Sequence, residues 1–350
     1  DLVAARPVVR SRAPRVTALD DSGYSQERDP AAHSARLPSM ALRATRTALD
    51  AGHPVLVQVP RRGYVPALAC GRCRTIARCR HCTGPLSLPD RDASGAVCRW
   101  CAREEPALRC ARCGSEAVRA VVVGARRTAE ELGRAFPGTT VVTSGGDTAV
   151  SAVPGGPALV VATPGAEPVA AGGYGAALLL DAWALLGRQD LRAGEDTLRR
   201  WMAATTLVRS RGDGGVVVVV AESTVPTVQA LIRWDPVGHA EAELDARAEV
   251  GLPPAVHMAA IDGAPDAVAA LLETAELPDS ADIVGPVELP SGARRPPGTP
   301  AASRVSRMLV RVPRAEGLEL AAGLRRATGV LSARHDQQPV RVQIDPLHIG

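Results

Sequence analysis

All eight cysteines of the 350-residue chain fall between Cys70 and Cys113, as four Cys-x-x-Cys pairs. They are Cys70 with Cys73, Cys79 with Cys82, Cys98 with Cys101, and Cys110 with Cys113. A Cys-x-x-Cys turn sets two thiolates on one tight knuckle. Two knuckles complete a tetrahedral four-thiolate site, with Zn–S bonds of about 2.3 Å. Four knuckles in one short stretch therefore predict two zinc ions per chain. The stretch has little else to fold around, since its apolar segments LSL (86–88) and GAV (95–97) are too small for a core without metal.

Spacing alone allows three pairings of the knuckles. In-line sites join the first pair with the second and the third with the fourth, although only five residues separate Cys73 from Cys79. A nested arrangement joins Cys70, Cys73, Cys110 and Cys113 as an outer site, and Cys79, Cys82, Cys98 and Cys101 as an inner one. It is the favoured arrangement, because the inner spacer then becomes a finger with LSL and GAV as its hairpin. Disulfides need an oxidising compartment, and no stretch reads as a signal peptide. Four paired knuckles suit zinc ribbons better than an iron–sulfur cluster or a single redox pair. Closed four-thiolate shells leave no open position for chemistry, so both zincs are expected to be structural.

The formal charge of +4 is mild and by itself implies little beyond solubility. Every basic residue among the 41 Lys plus Arg is an arginine, which fits a GC-rich coding sequence. Without lysine the chain holds no Walker A motif, whose lysine must reach the β- and γ-phosphates. No apolar run approaches the roughly 20 residues of a membrane span, and the protein is expected in the cytoplasm. Because it opens at Asp1, it is expected to be part of a longer chain.

The remainder divides into an α/β body and a smaller C-terminal domain. Residues 1–65 read as an Arg-, Pro- and Ser-rich connector holding VTALD as a short strand, then a helix (37–52) and the buried strand PVLVQVP (54–60). The cysteine module spans 66–116. Over 117–235, AVRAVVVG, TTVVTS, PALVVAT, GAALLLD and GGVVVVVAE read as near-continuous apolar strands, with helices at ARRTAEELGRAF and GEDTLRRWMAATTLVRS. That rhythm predicts a parallel sheet covered on both faces, interrupted by the cysteine module. From 236 to 350 a charged helix, the strands VHMAAIDG, RMLVRVP and VRVQID, and two further helices predict a small α+β domain.

VQVPRRGYVPALACGRC, with the cysteine frame that follows, resembles the PriA family of primosomal replication-restart proteins. These are superfamily 2 helicases whose RecA-like second motor lobe carries a strand, Asn-Arg-Arg-Gly-aromatic, and a zinc module. Pro60 stands where the family has Asn. The family's zincs are nested, which implies the outer and inner sets above. Similarity continues in GARRTAEELGRAFPG, in LLLDAWALLGRQDLRAGEDTLRR (Asp181, Asp190, Arg192 and Glu195 at roughly matching places), in ELDARAEVGLPP, in VGPVELP and in VRVQIDPLHIG. The resemblance spans essentially the whole chain.

Departures from the family bear on activity. ATPGAEPVAAGG stands where the helicases have Gly-Thr-Gln-Met-x-x-Lys-Gly, and ATTLVRSR where they have Gln-Val-x-Gly-Arg-Ala-Gly-Arg. Alignment puts Val208 at the first γ-phosphate arginine and Arg211 at the second, and losing one such arginine costs on the order of 10³-fold or more in rate. The lobe is therefore expected not to hydrolyse ATP. The resemblance then implies a fork-recognition and helicase-loading protein, acting on forked and single-stranded DNA. Its partners would be primosome proteins, the single-stranded-DNA-binding protein and the replicative helicase or its loader. The alternative is an active ATP-dependent 3′–5′ helicase.

Candidate DNA contacts are Arg61 and Arg62, whose planar forks suit phosphate oxygens, and Tyr64, able to stack on a base. Trp100 and the arginines at 72, 74, 78, 80, 99 and 112 add to them. His81 is expected to be no ligand, since four thiolates already fill the site. His257 is expected in core or surface, and Glu104–Glu105 and Glu130–Glu131 as helix or loop surface.

Overall fold

Strands buried on both faces are continuous apolar runs, and VLVQ, ALVVA and AALL, every one of whose residues after the first is buried, take that role here. The computed structural model describes residues 5–19, 36–60, 68–73, 75, 77–81, 86–87, 95–98, 103–105, 107–119, 125–188, 190–289, 294–300, 303–333 and 338–347. Two compact units divide them, Asp1–His239 and Ala240–Gly350.

The first unit opens with α1 (Arg6–Arg12), β1 (Arg15–Leu19), α2 (Ser39–Asp50) and β2 (Val55–Gln58). The cysteine stretch holds β3 (Ala69–Cys70), β4 (Leu86–Ser87), β5 (Ala96–Cys98), β6 (Glu104–Glu105) and β7 (Val118–Arg119). Then come α3 (Ala125–Ala135), β8 (Thr140–Ser144), β9 (Ala152–Val153), β10 (Ala158–Ala162), β11 (Val169–Ala170) and β12 (Ala176–Leu179). The unit continues through α4 (Ala182–Leu186), α5 (Ala193–Thr205), β13 (Val216–Glu222) and α6 (Pro226–Arg233), and α7 (Pro236–Glu249) crosses the division.

Six strands form one sheet in the order β1-β13-β12-β2-β10-β8, and every pairing in it is parallel. Period-two alternation splits their side chains between two cores. Leu56, Val160, Leu179, Val217 and Val219 meet Leu198 and Trp201 of α5 and Val228 and Leu231 of α6. Val55, Val57, Leu159, Val161, Leu178 and Val218 meet Ala41 and Ala48 of α2 and Leu132 of α3. Two expectations change here. Residues 15–19 are the sheet's edge strand, hydrogen-bonded to β13, and so are structural where a connector was expected. The described part of 117–124 is not a strand of this sheet, because Val118–Arg119 pairs antiparallel with Ala69–Cys70.

One buried cation ties the unit's elements together. The Arg36 guanidinium is 8% exposed. It donates from Nε and Nη2 to the Asp181 carboxylate at 2.9 and 2.7 Å, from Nη1 to Glu131 at 2.9 Å, and from Nη2 to the Thr128 hydroxyl at 2.8 Å. Thr128 and Glu131 are three apart on α3 and therefore share a face. Asp181, just beyond β12, adopts a left-handed backbone (φ 53°) as it opens α4.

A second charged group organises the start of α5. The Asp190 carboxylate accepts from the Arg192 amide at 2.9 Å, while Arg188 and Arg199 reach Asp196 at 3.3 and 3.2 Å. Burial pushes the Asp196 carboxyl up, but the two guanidinium groups outweigh it and hold it below its ordinary value.

The second unit contains β14 (Val256–Gly263), α8 (Pro265–Thr274), β15 (Asp282–Glu288), β16 (Ser306–Pro313), α9 (Gly317–Ala333) and β17 (Arg341–Ile344). Its antiparallel sheet runs β15-β16-β14-β17, with Ala259, Ile261, Val310 and Val312 packed against α8 and α9. Alternation sends Asp262 to the opposite side, where it is 1% exposed and pairs with Arg307 at 2.7 Å. β15 was not anticipated, because Gly285-Pro286 sits mid-strand. The register shifts there between Val284 and Val287, so the pair is absorbed as an irregularity.

Arg36→Ala leaves Asp181 buried without its cation and is expected to lower stability by about 3–5 kcal/mol in urea unfolding. The double change Arg36→Met, Asp181→Leu should cost clearly less. Asp196→Asn should cost about 1 kcal/mol at neutral pH. Its effect is expected to shrink as pH falls through the depressed carboxyl pKa, since that stabilisation is present only while the carboxylate is ionised.

Candidate metal centre

The two outermost knuckles are brought together by a strand pair. β3 and β7 align Ala69 with Arg119 and Cys70 with Val118, so the chain enters and leaves the cysteine stretch side by side. The Cys70 amide donates to the Thr75 carbonyl at 2.9 Å and the Cys110 amide to the Ser115 carbonyl at 3.0 Å. Each closes its knuckle over the same six-residue span. Gly114, left-handed at φ 70°, lets the second turn return its amide to the Cys110 carbonyl at 2.9 Å.

The sulfurs of Cys70, Cys73, Cys110 and Cys113 all lie within 4.8 Å of one another. Cys70 Sγ is 3.5 Å from Cys113 Sγ, and Cys73 Sγ is 3.4 Å from Cys110 Sγ. A zinc tetrahedron with bonds of about 2.3 Å puts its sulfurs roughly 3.8 Å apart, so the four need shift only slightly to hold one ion. Among the described residues no carboxylate or imidazole joins the set, and four thiolates are a donor set that fits zinc. Backbone amides of Arg72 and Cys73 point at Cys70 Sγ at 3.4 and 3.5 Å. Burial pushes the Cys73 thiol up, but its hydrogen bonds with Thr75 and neighbouring cysteines outweigh that and bring it to about 6. The Ser115 amide favours ionisation of Cys113, yet burial and its bonds to the other cysteines push it up to about 12. Crowded sulfurs resist sharing several negative charges without a cation among them.

Of the inner set, Cys79 and Cys98 are described and both are buried. Cys82 and Cys101 lie outside the described residues. The Cys98 amide donates to the Arg103 carbonyl at 2.9 Å, the same closure as at Cys70 and Cys110. The expected hairpin is present as β4 and β5, pairing Leu86 with Cys98 and Ser87 with Val97. A third strand, β6, pairs with β5. Leu68, Cys79, Leu86, Ala96 and Cys98 form the small core beneath it.

That third strand corrects the reading of Glu104–Glu105 as helix or loop surface. Glu105 is 7% exposed and accepts from the Arg80 amide at 3.3 Å, with the Arg80 guanidinium 3.7 Å away. Arg80 is therefore engaged within the module, and Arg112 pairs with Glu222 at the end of β13. Arg72 and Arg78 are described; Arg72 is exposed. Arg61, Arg62, Tyr64, Arg74, Arg99 and Trp100 lie outside the described residues. His81 Nδ1 accepts from the Arg103 guanidinium at 2.8 Å, and His257 contacts Asp345 at 2.8 Å.

Past α5 the chain forms a bridge from Val208 to Tyr174, and Val208 is buried. Arg211 opens an exposed turn, its amide donating to the Ala13 carbonyl at 3.0 Å. Sequence reasoning missed the Arg36 cluster and the buried Glu105. Only the Thr128-x-x-Glu131 spacing hinted at a shared face.

The family profile described as "Primosomal protein N C-terminal domain" matches residues 248–347. "Probable replication restart protein PriA" of Mycobacterium leprae is 73% identical over 350 residues, all of this chain and 54% of that protein. The protein of the same name from Mycobacterium tuberculosis H37Rv is 72% identical over 357 residues, again covering 54% of its length. "Replication restart protein PriA" of Haemophilus influenzae is 31% identical over 97 residues, 27% of this chain and 13% of that protein. The chain thus spans about half the length of the curated mycobacterial relatives it matches.

Thiolates bind metal only after losing their protons, so a metal ion loaded onto this cluster should be released progressively on acidification below neutrality, read with a chromogenic chelator. Stripping the metal is expected to raise hydrogen exchange across 68–119 while the amides of Val217–Val219 stay protected. An equal rise in both would mean the parallel sheet also depends on the metal.

Proposed function

The chain belongs to the PriA family of replication-restart proteins, and from that premise we propose that it recognises stalled or abandoned replication forks and promotes primosome assembly and replicative helicase loading. Forked and single-stranded DNA are its nucleic-acid ligands. Primosome proteins, the single-stranded-DNA-binding protein and the replicative helicase or its loader are its partners, in the cytoplasm at the nucleoid. The observation that carries this reading is the outer four-cysteine cluster, built from knuckles 37 residues apart between Cys73 and Cys110. It anchors an inserted module that follows a strand of an all-parallel sheet.

In this reading the module holds two structural zincs. Cys70, Cys73, Cys110 and Cys113 bind one, and Cys79, Cys82, Cys98 and Cys101 bind the other. The ions supply tetrahedral cross-links and no chemistry. Arg61, Arg62, Tyr64 and Trp100 face DNA from the module and the segment before it. The sheet is the second lobe of a helicase-type motor that has lost its ATPase. What supports this is Val208, buried and bridged to Tyr174, at the place of the first motif arginine. A buried valine offers no charge to a transferring phosphate.

Elemental analysis should find two zincs per chain, falling by one in Cys110→Ser and by one in Cys98→Ser; a single zinc in the unaltered chain would undo the nested pair. Charge reversal at Arg61 and Arg62 should weaken fork binding about tenfold and lower the salt slope by about 2, the reduction expected when two phosphates are no longer neutralised. In the full-length natural protein, fork-stimulated ATP turnover should be absent with tight fork binding retained. Robust turnover abolished by Arg211→Ala would establish an active motor instead.

A further inference from the structure

Away from the cysteine module, the first unit carries a cavity of about 350 Å³ whose wall includes Arg10, Arg15, Arg211 and Arg233, with Trp234 and Ile232 beside them. The four arginines come from four separate elements: the last turn of α1, the first residue of β1, the turn before β13 and the last turn of α6. All four are exposed. No side-chain hydrogen bond or ion pair engages any of the four guanidinium groups among the described residues, and no described carboxylate lines the cavity. The nearest acids in sequence are otherwise occupied. Asp213 holds the Ser210 hydroxyl at 2.6 Å, and Asp235 accepts from the Gly238 amide at 3.2 Å.

Four cations around one concavity repel each other unless an anion enters. Arg10 and Arg233 lie in the last turns of helices, where a cation complements the helix dipole. That accounts for two of the four and leaves Arg15 and Arg211 unexplained. Guanidinium forks bind phosphate oxygens bidentately, and Trp234, half-buried, borders the same space with an indole surface. A compact polyphosphate offers nothing for that indole, whereas a single strand brings bases together with its phosphates.

We propose that this arginine-lined cavity is a second nucleic-acid site. It would seat consecutive phosphates of a single strand on Arg10, Arg15, Arg211 and Arg233, with a base against Trp234. The site is separate from the module contacts proposed above and fails or stands independently of them, because neither Arg61 nor Arg62 belongs to it. It also gives the turn bearing Arg211 a role that requires no nucleotide hydrolysis.

The test is binding of a fluorescein-labelled 30-nucleotide oligothymidylate to the zinc-loaded full chain, titrated across salt concentrations. The variant Arg15→Glu, Arg233→Glu should bind at least tenfold more weakly, with a salt slope reduced by about 1.4, or about 0.7 for each phosphate of a single strand that is no longer neutralised. Arg134→Glu with Arg325→Glu makes the same change in net charge at exposed positions elsewhere and should alter affinity less than twofold. Oligothymidylate should quench tryptophan emission in the parent and measurably less in Trp234→Phe, a conservative change that guards against misfolding of the charge-reversed variant. Equal weakening in the Arg134, Arg325 variant would reduce the effect to overall charge and overturn the proposal. Unchanged affinity in the Arg15, Arg233 variant would do the same. Micromolar tripolyphosphate reproducing the Trp234 quench would assign the cavity to a free polyphosphate and overturn the strand.

Discussion

Arg36 supplies the charge on which the first unit's layout depends. Its five N–H donors in a rigid fork reach a carboxylate beyond β12 and two side chains of α3 at once. A buried cation of this kind contributes little net stability over a well-packed apolar group, because desolvation offsets the Coulomb attraction. Its value is positional. With Asp181 and Glu131 both needing the same guanidinium, α3 can dock on the sheet in only one register. The sheet end that carries the Asp181 turn is fixed by the same group. Hydrophobic burial on either face would tolerate small slides of a helix, and this cluster does not.

The cysteine module follows a similar logic on a smaller scale. Its inner core is a handful of side chains, so the local fold rests on knuckle geometry, repeated at Cys70, Cys98 and Cys110 by one amide-to-carbonyl closure. The antiparallel pair β3–β7 makes the insertion's two ends neighbours, and Cys70 of the outer set is itself a residue of that pair. An insertion whose ends already touch leaves the host sheet undisturbed, and β2 keeps parallel partners on both sides. The Arg112–Glu222 ion pair then ties a knuckle to the far end of β13.

Much of this architecture was legible from residues. Strands apolar on both faces announced the parallel sheet, and the four Cys-x-x-Cys pairs announced metal-binding knuckles, because both signals are local and repetitive. Which knuckles meet was left open by spacing alone, since Cys73 and Cys110 are 37 residues apart. Long-range features stayed hidden. RVTAL looked like part of a connector because an edge strand needs no continuous apolar run. AVRAVVVG was assigned to the sheet because an apolar segment carries no mark of which partner it takes. Gly285-Pro286 concealed β15, since a strand irregularity and a turn use the same residues. Arg36 with Asp181, and Arg80 with Glu105, join positions 145 and 25 apart, and no spacing rule reaches across such separations.

The place of β1 in the sheet also sets a clock. Thr17 in β1 donates its hydroxyl to the Val217 carbonyl 200 residues downstream, and β13 is the strand that separates β1 from all the others. At ribosomal rates of roughly 5–20 residues per second, about 10–40 s pass between the synthesis of one partner and the other. Throughout that interval the first-made strand has no place to dock. The cysteine knuckles are complete about 100 residues before β13, which leaves roughly 5–20 s of that interval for a metal to be captured, so the module can mature ahead of the sheet into which it is inserted.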